Sequence, residues 1–285
     1  ATAGALDSAV RRLRADRLAG LADKVDRLAT WSDLILPEDM LDSLRELIAR
    51  VRHRDVVLGT WGMERVSATA RALTALFQGG PGTGKTLAAG VLARELGYEL
   101  YCVDISRVMS RWLGETEKNL ARIFDGASDG ETILLFDEAD TLFGRRTEVK
   151  SSHDRYANVE TNYLLQRLDS WSGIAILTTN FGASIDPAFR RRLTLQLQFP
   201  FPDDAERTRL WQAHLPPSVP VRGDLDLAAL AARFKLSGGY IRNAALRACY
   251  LAVGEGSPLT ADHLIRAIKL EYRDMAKVAE GGRLE

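Results

Sequence analysis

Gly79-Gly80-Pro81-Gly82-Thr83-Gly84-Lys85-Thr86 decides the fold of this chain. The stretch has the spacing G-x-x-x-x-G-K-T of a phosphate-binding loop, the Walker A motif. Apolar Leu73-Thr74-Ala75-Leu76-Phe77 precedes it and predicts a strand. Leu87-Ala88-Ala89 through Leu96 follows it and predicts a helix that stops at Gly97. Strand, loop and helix are the context the motif requires. Glycines let the backbone curl so that successive N–H groups point at phosphate oxygens, and the helix N-terminus adds its partial positive charge. Gly80, Pro81, Gly82, Thr83, Gly84, Lys85, Thr86 and Leu87 are therefore candidate ATP contacts. Lys85 is expected to reach the β- and γ-phosphates, and the Thr86 hydroxyl to ligate Mg²⁺. The competing reading is a glycine-rich turn that matches by accident. Average residue usage makes that an event on the order of one per cent in a chain of this length.

A second stretch, Thr132-Ile133-Leu134-Leu135-Phe136-Asp137-Glu138, is continuously apolar until its end. A strand covered on both faces has that pattern. Two carboxylates then fall at its C-terminal end, where ligands bind in open α/β sheets. This is the Walker B pattern: Asp137 is expected to hold Mg²⁺, and Glu138 to orient and polarise the attacking water. Solvated acids at an ordinary strand end are the plainer alternative. Ile174-Ala175-Ile176-Leu177-Thr178-Thr179-Asn180 is another buried strand ending in a polar residue. Its Asn180 amide could bind the attacking water or the γ-phosphate, although a strand-end Asn is more often a turn former.

Composition limits the remaining choices. The chain has 285 residues, 46% of them hydrophobic, enough for one large α/β domain with or without a small second one. With 38 basic and 38 acidic residues the net charge is zero, and nothing global argues for a nucleic-acid partner. Cys102 and Cys249 lack metal-ligand spacing and read as buried, reduced thiols of a cytosolic protein. No apolar run approaches transmembrane length and no signal peptide is visible, so no membrane association and a cytoplasmic location are expected.

Along the chain, Leu6, Val10, Leu13, Leu21, Val25 and Leu28 recur at helical spacing, predicting an amphipathic helix or helix pair over residues 5–30 that packs, links or docks. A further helix pattern runs from Leu41 to Val51. Three arginines, Arg190-Arg191-Arg192, precede the alternating half-buried strand Leu193, Leu195, Leu197, Phe199. After Pro200-Phe201-Pro202, Asp203 with Glu206 fits a helix-capping box. Only helical patterns follow, over about 226–234, 240–253 and 261–277. The reading is an α/β chain in three parts: an amphipathic segment (1–30), a P-loop nucleotide-binding domain with a parallel sheet (31–202), and a small all-helical lid with its tail (203–285).

Walker A, Walker B, a strand ending in Asn, an arginine cluster and a helical C-terminal module occur here in one order. That order resembles the AAA+ ATPases over roughly residues 31–275. The resemblance implies a five-stranded parallel αβα domain with a helical lid, ATP and Mg²⁺ as ligands, and a homo-oligomeric ring, usually a hexamer, with nucleotide between neighbours. By position Asn180 matches the family's sensor 1. Arg191 and Arg192 match the region of its arginine finger, with Arg192 preferred. Ser237-Gly238-Gly239-Tyr240-Ile241-Arg242 opens a lid helix where many members place sensor 2, which puts Gly239 and Arg242 at the nucleotide. Leu34, Ile35 and Leu36 would lie near the adenine. Arg111-Trp112-Leu113-Gly114-Glu115-Thr116-Glu117 looks like the pore-loop segment of the AAA clade, with Arg111, Trp112 and Leu113 facing a threaded substrate. The chain departs from that clade after Arg192, where Leu193-Thr194-Leu195 leads straight into a strand and leaves the second arginine and the choice of finger open. Ser152-His153-Asp154-Arg155-Tyr156-Ala157-Asn158, with Pro187-Ala188-Phe189 and Pro200-Phe201-Pro202-Asp203, is similar to bacterial ATPases of phage-tail-like contractile injection systems.

Two functions follow. One is an ATP-driven motor that remodels, unfolds or disassembles a protein substrate through its aromatic pore loop. The other is a nucleotide-dependent assembly or scaffold factor that changes shape and translocates nothing. A nucleic-acid motor is disfavoured by the zero net charge.

Overall fold

The computed structural model describes residues 13–65, 72–108, 114–128, 131–139, 162–180 and 190–281. The expected pore segment Arg111-Trp112-Leu113, the polar stretch from Leu142 to Asp154 and Pro187-Ala188-Phe189 lie outside them. The chain divides into two compact units, one of Ala1–Gly80 with Lys85–Phe199, the other of Pro81–Gly84 with Pro200–Glu285.

The first unit is built on a six-stranded sheet. Helix α1 covers 13–18, β1 Ala22–Lys24, α2 Glu38–Arg52, β2 Leu73–Gln78, α3 Lys85–Leu96 and β3 Glu99–Asp104. There follow α4 Ile105–Val108, α5 Glu115–Gly126, β4 Thr132–Asp137, α6 over 162–170, β5 Ile174–Thr179 and β6 Leu195–Gln198. Strand order is β1-β3-β4-β5-β2-β6. Strands β2 to β6 pair in parallel; β1 pairs antiparallel to β3.

Alternation explains why β2, β4 and β5 read as unbroken apolar runs. Leu76, Leu134, Phe136, Ala175 and Leu177 point to one face, into a core with Leu120, Ile123, Phe124, Leu164 and Trp171. Ala75, Phe77, Ile133, Leu135, Ile174 and Ile176 point to the other, into a core with Leu44, Leu47, Ala88, Val91 and Leu92. Successive side chains of a strand face opposite ways, so a sheet covered on both faces needs apolar residues at every position.

The five parallel strands form as expected; the N-terminal segment departs from the expected helix or helix pair over 5–30 and adds an antiparallel edge strand. Helix α1 ends at Leu18, Gly20 takes φ +81°, and the chain then lies along β3 with Ala22 opposite Val103 and Lys24 opposite Tyr101. The spacing of Leu21, Val25 and Leu28 suits a helix, but the unpaired edge of β3 offers backbone partners that a helix there would leave unused. The Val25 N–H continues the pairing to Leu100 O at 2.9 Å. Buried Glu99 anchors this strap: Arg14 and Lys24 both donate to its carboxylate. Burial raises the Glu99 carboxyl, but the bonds from Lys24 and Arg14 outweigh it and leave it below its ordinary value.

The second unit is helical: α7 Asp204–His214, α8 Leu227–Arg233, α9 Gly238–Gly254 and α10 Ala261–Gly281. The Asp203–Glu206 capping box forms as read from the sequence. Trp211, Leu236, Ile241, Ala244, Ala248, Leu264 and Ile268 make its core. Buried Arg207 ties α7 down by donating from Nε to Ala231 O and from Nη1 to Pro202 O.

Candidate functional site

In the first unit the strand order sets the geometry. Because β5 lies between β2 and β4, the C-terminal end of β5 falls between the end of the Walker A strand and the end of the Walker B strand. Asn180 thereby comes beside Lys85. The buried Lys85 ammonium donates to Gly79 O at 2.6 Å, Gly80 O at 3.0 Å and Asn180 Oδ1 at 2.9 Å. A charged amine so deep in protein needs oxygens around it, and three of them hold it at the start of α3. Thr86 and Leu87 follow on the first turn and are exposed.

The register carries this further. Phe136 pairs with Leu177, and both side chains enter the same core. One residue on, Asp137 and Thr178 both turn to the opposite face, the face that α3 covers. There the Thr178 hydroxyl meets the Asp137 carboxylate at 2.5 Å. The same hydroxyl accepts from the Glu138 N–H at 3.0 Å, and Thr178 O accepts from the Ala139 N–H at 2.9 Å. Glu138 has φ +51°, unlike every other non-glycine residue described, and its side chain is exposed. A left-handed backbone at a bulky residue is strained and persists only where its surroundings hold it. Thr178 supplies two of those bonds. Local pattern does not single it out, although β5 turns from apolar residues to two buried hydroxyls, Thr178 and Thr179, at its end.

The arginines are placed by the entry to β6. Arg190 and Arg191 are exposed. Arg192 Nε donates to Asp169 Oδ2 at 2.6 Å, an ion pair about one-third exposed on each side. Near the start of the unit, Leu34 and Leu36 are buried in the core beneath α2 and α3, and Ile35 between them is half-buried.

In the second unit the loop residues Pro81–Gly84 meet the start of α9. Gly239 N donates to Gly82 O at 3.0 Å, and Ser237 Oγ donates to Pro81 O at 2.9 Å. Gly82 has φ +72°, and a Cβ there would fall 2.7 Å from Ser237 Oγ; both conformation and space require glycine. Thr83 is buried and Gly84 half-buried. Arg242 is exposed one turn into α9. Burial and then the nearby Arg242 charge push the His214 imidazole below its ordinary value.

The donor set fits a nucleotide with Mg²⁺. A buried ammonium and a glycine loop suit phosphate oxygens. Mg²⁺ on nucleotides is held by one or two protein oxygens, the rest coming from phosphates and water. Thr86 and Asp137 answer to that pattern. The described residues contain no cluster of three or more His, Cys, Asp or Glu able to hold a metal without phosphates. No helix among them is long and apolar enough to cross a membrane. Cys102 and Cys249 are free thiols, half-buried.

Comparison with known proteins agrees with this geometry. Residues 75–201 match the ATPase family associated with various cellular activities (AAA). Residues 203–268 match the contractile injection system ATPase helical domain. The chain is 30% identical over 222 residues to the 26S proteasome subunit RPT4 of Saccharomyces cerevisiae, an alignment that takes in 74% of this chain and 48% of that protein. The chain thus spans about half the length of this curated relative. The first match takes in the sheet that carries Lys85, Asp137, Glu138 and Asn180, the second the helices capped from Asp203 onward. This chain carries an AAA ATPase domain followed by the helical domain of contractile injection system ATPases.

Proposed function

We propose that this chain binds ATP with Mg²⁺, hydrolyses it, and uses the cycle as a subunit of an oligomeric ring that remodels a protein component of a contractile injection system. The observation that carries the hydrolysis is the convergence of Lys85, Asn180, Asp137 and Glu138 at adjacent strand ends. Lys85 exchanges carbonyl and amide oxygens for β- and γ-phosphate oxygens. Thr86 and Asp137 hold Mg²⁺, which supplies a positive centre that offsets charge on the phosphates. Glu138, exposed beyond the strand end, orients and polarises the attacking water. Asn180, held beside Lys85, presents its amide to that water or to the γ-phosphate. Gly80 to Leu87, with Leu34 and Ile35, bind the nucleotide on the side of the sheet; Gly239 and Arg242 are the residues of the helical domain assigned to it. Arg192, with Arg191 beside it, is assigned as the finger toward a neighbour's nucleotide, and its bond to Asp169 holds the guanidinium when no neighbour's phosphate is in reach. Arg111, Trp112 and Leu113 grip the substrate, the indole packing on any extended chain without reading its sequence.

The test uses the purified chain with ATP and Mg²⁺. Glu138→Gln is expected to bind ATP like the unsubstituted chain, to hydrolyse it at least about a hundredfold more slowly, and to accumulate rings, hexamers by this proposal, visible by electron microscopy. Lys85→Ala is expected to lose nucleotide binding. Wild-type turnover by Glu138→Gln would refute the assignment. Stimulation of turnover by an unfolded protein and not by DNA separates the remodelling motor from a scaffold or a nucleic-acid motor.

A further inference from the structure

We infer that Thr178 is a positioning residue for hydrolysis: its hydroxyl aligns both Walker B acids, Asp137 through the side chain and Glu138 through the backbone. The inference rests on the hydrolysis reading and adds a residue to it. A hydroxyl has one proton to give. The Glu138 N–H can only donate, so it uses an oxygen lone pair of Thr178. The single proton of Thr178 must then point at Asp137 Oδ1, where the structure places it 2.5 Å away, oxygen to oxygen. One buried atom, in a residue 1% exposed, therefore sets the rotation of one carboxylate and the backbone of the next.

The backbone effect matters because Glu138 is left-handed at φ +51°. That conformation turns the Glu138 side chain away from the line of β4 and into solvent at the sheet edge. The Glu138 N–H and the Ala139 N–H are both bound to Thr178, one by its hydroxyl and one by its carbonyl. The carbonyl bond survives a change of side chain at 178; the hydroxyl bond survives only where a hydroxyl remains. Without it, Glu138 can relax toward ordinary backbone angles, and its carboxylate leaves the place where it meets water. Lys85 and its glycine loop are held by other partners, so their grip on the phosphates, read without Mg²⁺, is independent of Thr178.

Two substitutions separate positioning from packing. Thr178→Val keeps the shape, removes the hydroxyl and places an apolar side chain in an apolar strand. Thr178→Ser keeps the hydroxyl and deletes a buried methyl. If Thr178 serves packing alone, Ser is the more damaging change. If it positions the acids, Val is. The experiment measures kcat, ATP affinity by nucleotide titration without Mg²⁺, and thermal melting for the unsubstituted chain and both variants. We expect kcat of Thr178→Val to fall about 10–100-fold, the usual effect of losing a partner behind a metal-holding or catalytic carboxylate. Its ATP affinity without Mg²⁺ stays within about twofold, since the Lys85 and loop contacts are untouched. Thr178→Ser is expected to keep kcat within about threefold while melting lower. The inference is overturned if Thr178→Val turns over like the unsubstituted chain, if Thr178→Ser loses as much kcat as Thr178→Val, or if ATP affinity falls in parallel with kcat. No turnover by the unsubstituted chain would instead overturn the hydrolysis reading and this inference with it.

Discussion

Replacing Glu138 by glycine is expected to stabilise the protein relative to alanine at the same position, the reverse of the usual order. Glu138 has φ +51°. For a residue with a Cβ, the left-handed region costs roughly 1–2 kcal/mol, because Cβ crowds the following carbonyl oxygen. Glycine does not bear that cost, but it gives the unfolded chain more freedom, worth about 0.4–1 kcal/mol against it. The difference leaves glycine ahead of alanine by about 0.8 kcal/mol at the centre of these ranges. The carboxylate is exposed, so deleting it opens no cavity, and the backbone bonds to Thr178 remain in both variants. For a unit of this size 1 kcal/mol moves the melting temperature by about 2–4 °C. Glu138→Gly should therefore melt about 2–3 °C above Glu138→Ala, and both should be inactive. Paired thermal melts without nucleotide, supported by urea titrations with an unchanged slope, read the difference. Equal melting, or alanine the more stable, would show that Glu138 is not held left-handed and that no strain is stored at the Walker B turn.

The remaining predictions concern groups away from the catalytic turn. Burial, then the charges of Asp137, Asp23 and Asp104, push the Cys102 thiol up to about 11, so at pH 8 only about one thiol in a thousand is ionised; iodoacetamide should label it far more slowly than a free cysteine, and labelling at the free-thiol rate would contradict its placement on β3. Glu99 lies below its ordinary value when folded, so the folded state binds fewer protons there than the unfolded one. Its stabilising share is present above about pH 4.5 and is lost as pH falls through the folded value. The stability advantage of the wild type over Glu99→Gln in urea titrations should thus shrink from pH 6 to pH 3.5, and an advantage independent of pH would remove Glu99 as the anchor of the N-terminal strap.

The strand, loop and helix around Gly79–Thr86 and the strand that ends at Asp137 were legible along the chain because each is a local pattern. A glycine loop between a strand and a helix has a fixed spacing, and a strand covered on both faces must be apolar throughout. The helical domain was legible for a similar reason: the Asp203–Glu206 box and the repeating alanines and leucines act over one or two turns. The partners of the site residues were not legible, since they depend on which strands become neighbours. Thr178 meets Asp137 across 41 residues because β5 inserts beside β4, and Lys85 meets Asn180 across 95 because β2 lies on the other side of β5. The pairing of Arg192 with Asp169 arises in the same way. The N-terminal segment shows the opposite case, where local pattern pointed elsewhere. Leu21, Val25 and Leu28 satisfy a helix, yet β1 forms because the edge of β3 presents unpaired N–H and C=O groups, and Arg14 and Lys24 find Glu99 there. Helical spacing depends on neighbours in sequence; an edge strand depends on hydrogen-bonding groups that become available only when the rest of the sheet has assembled.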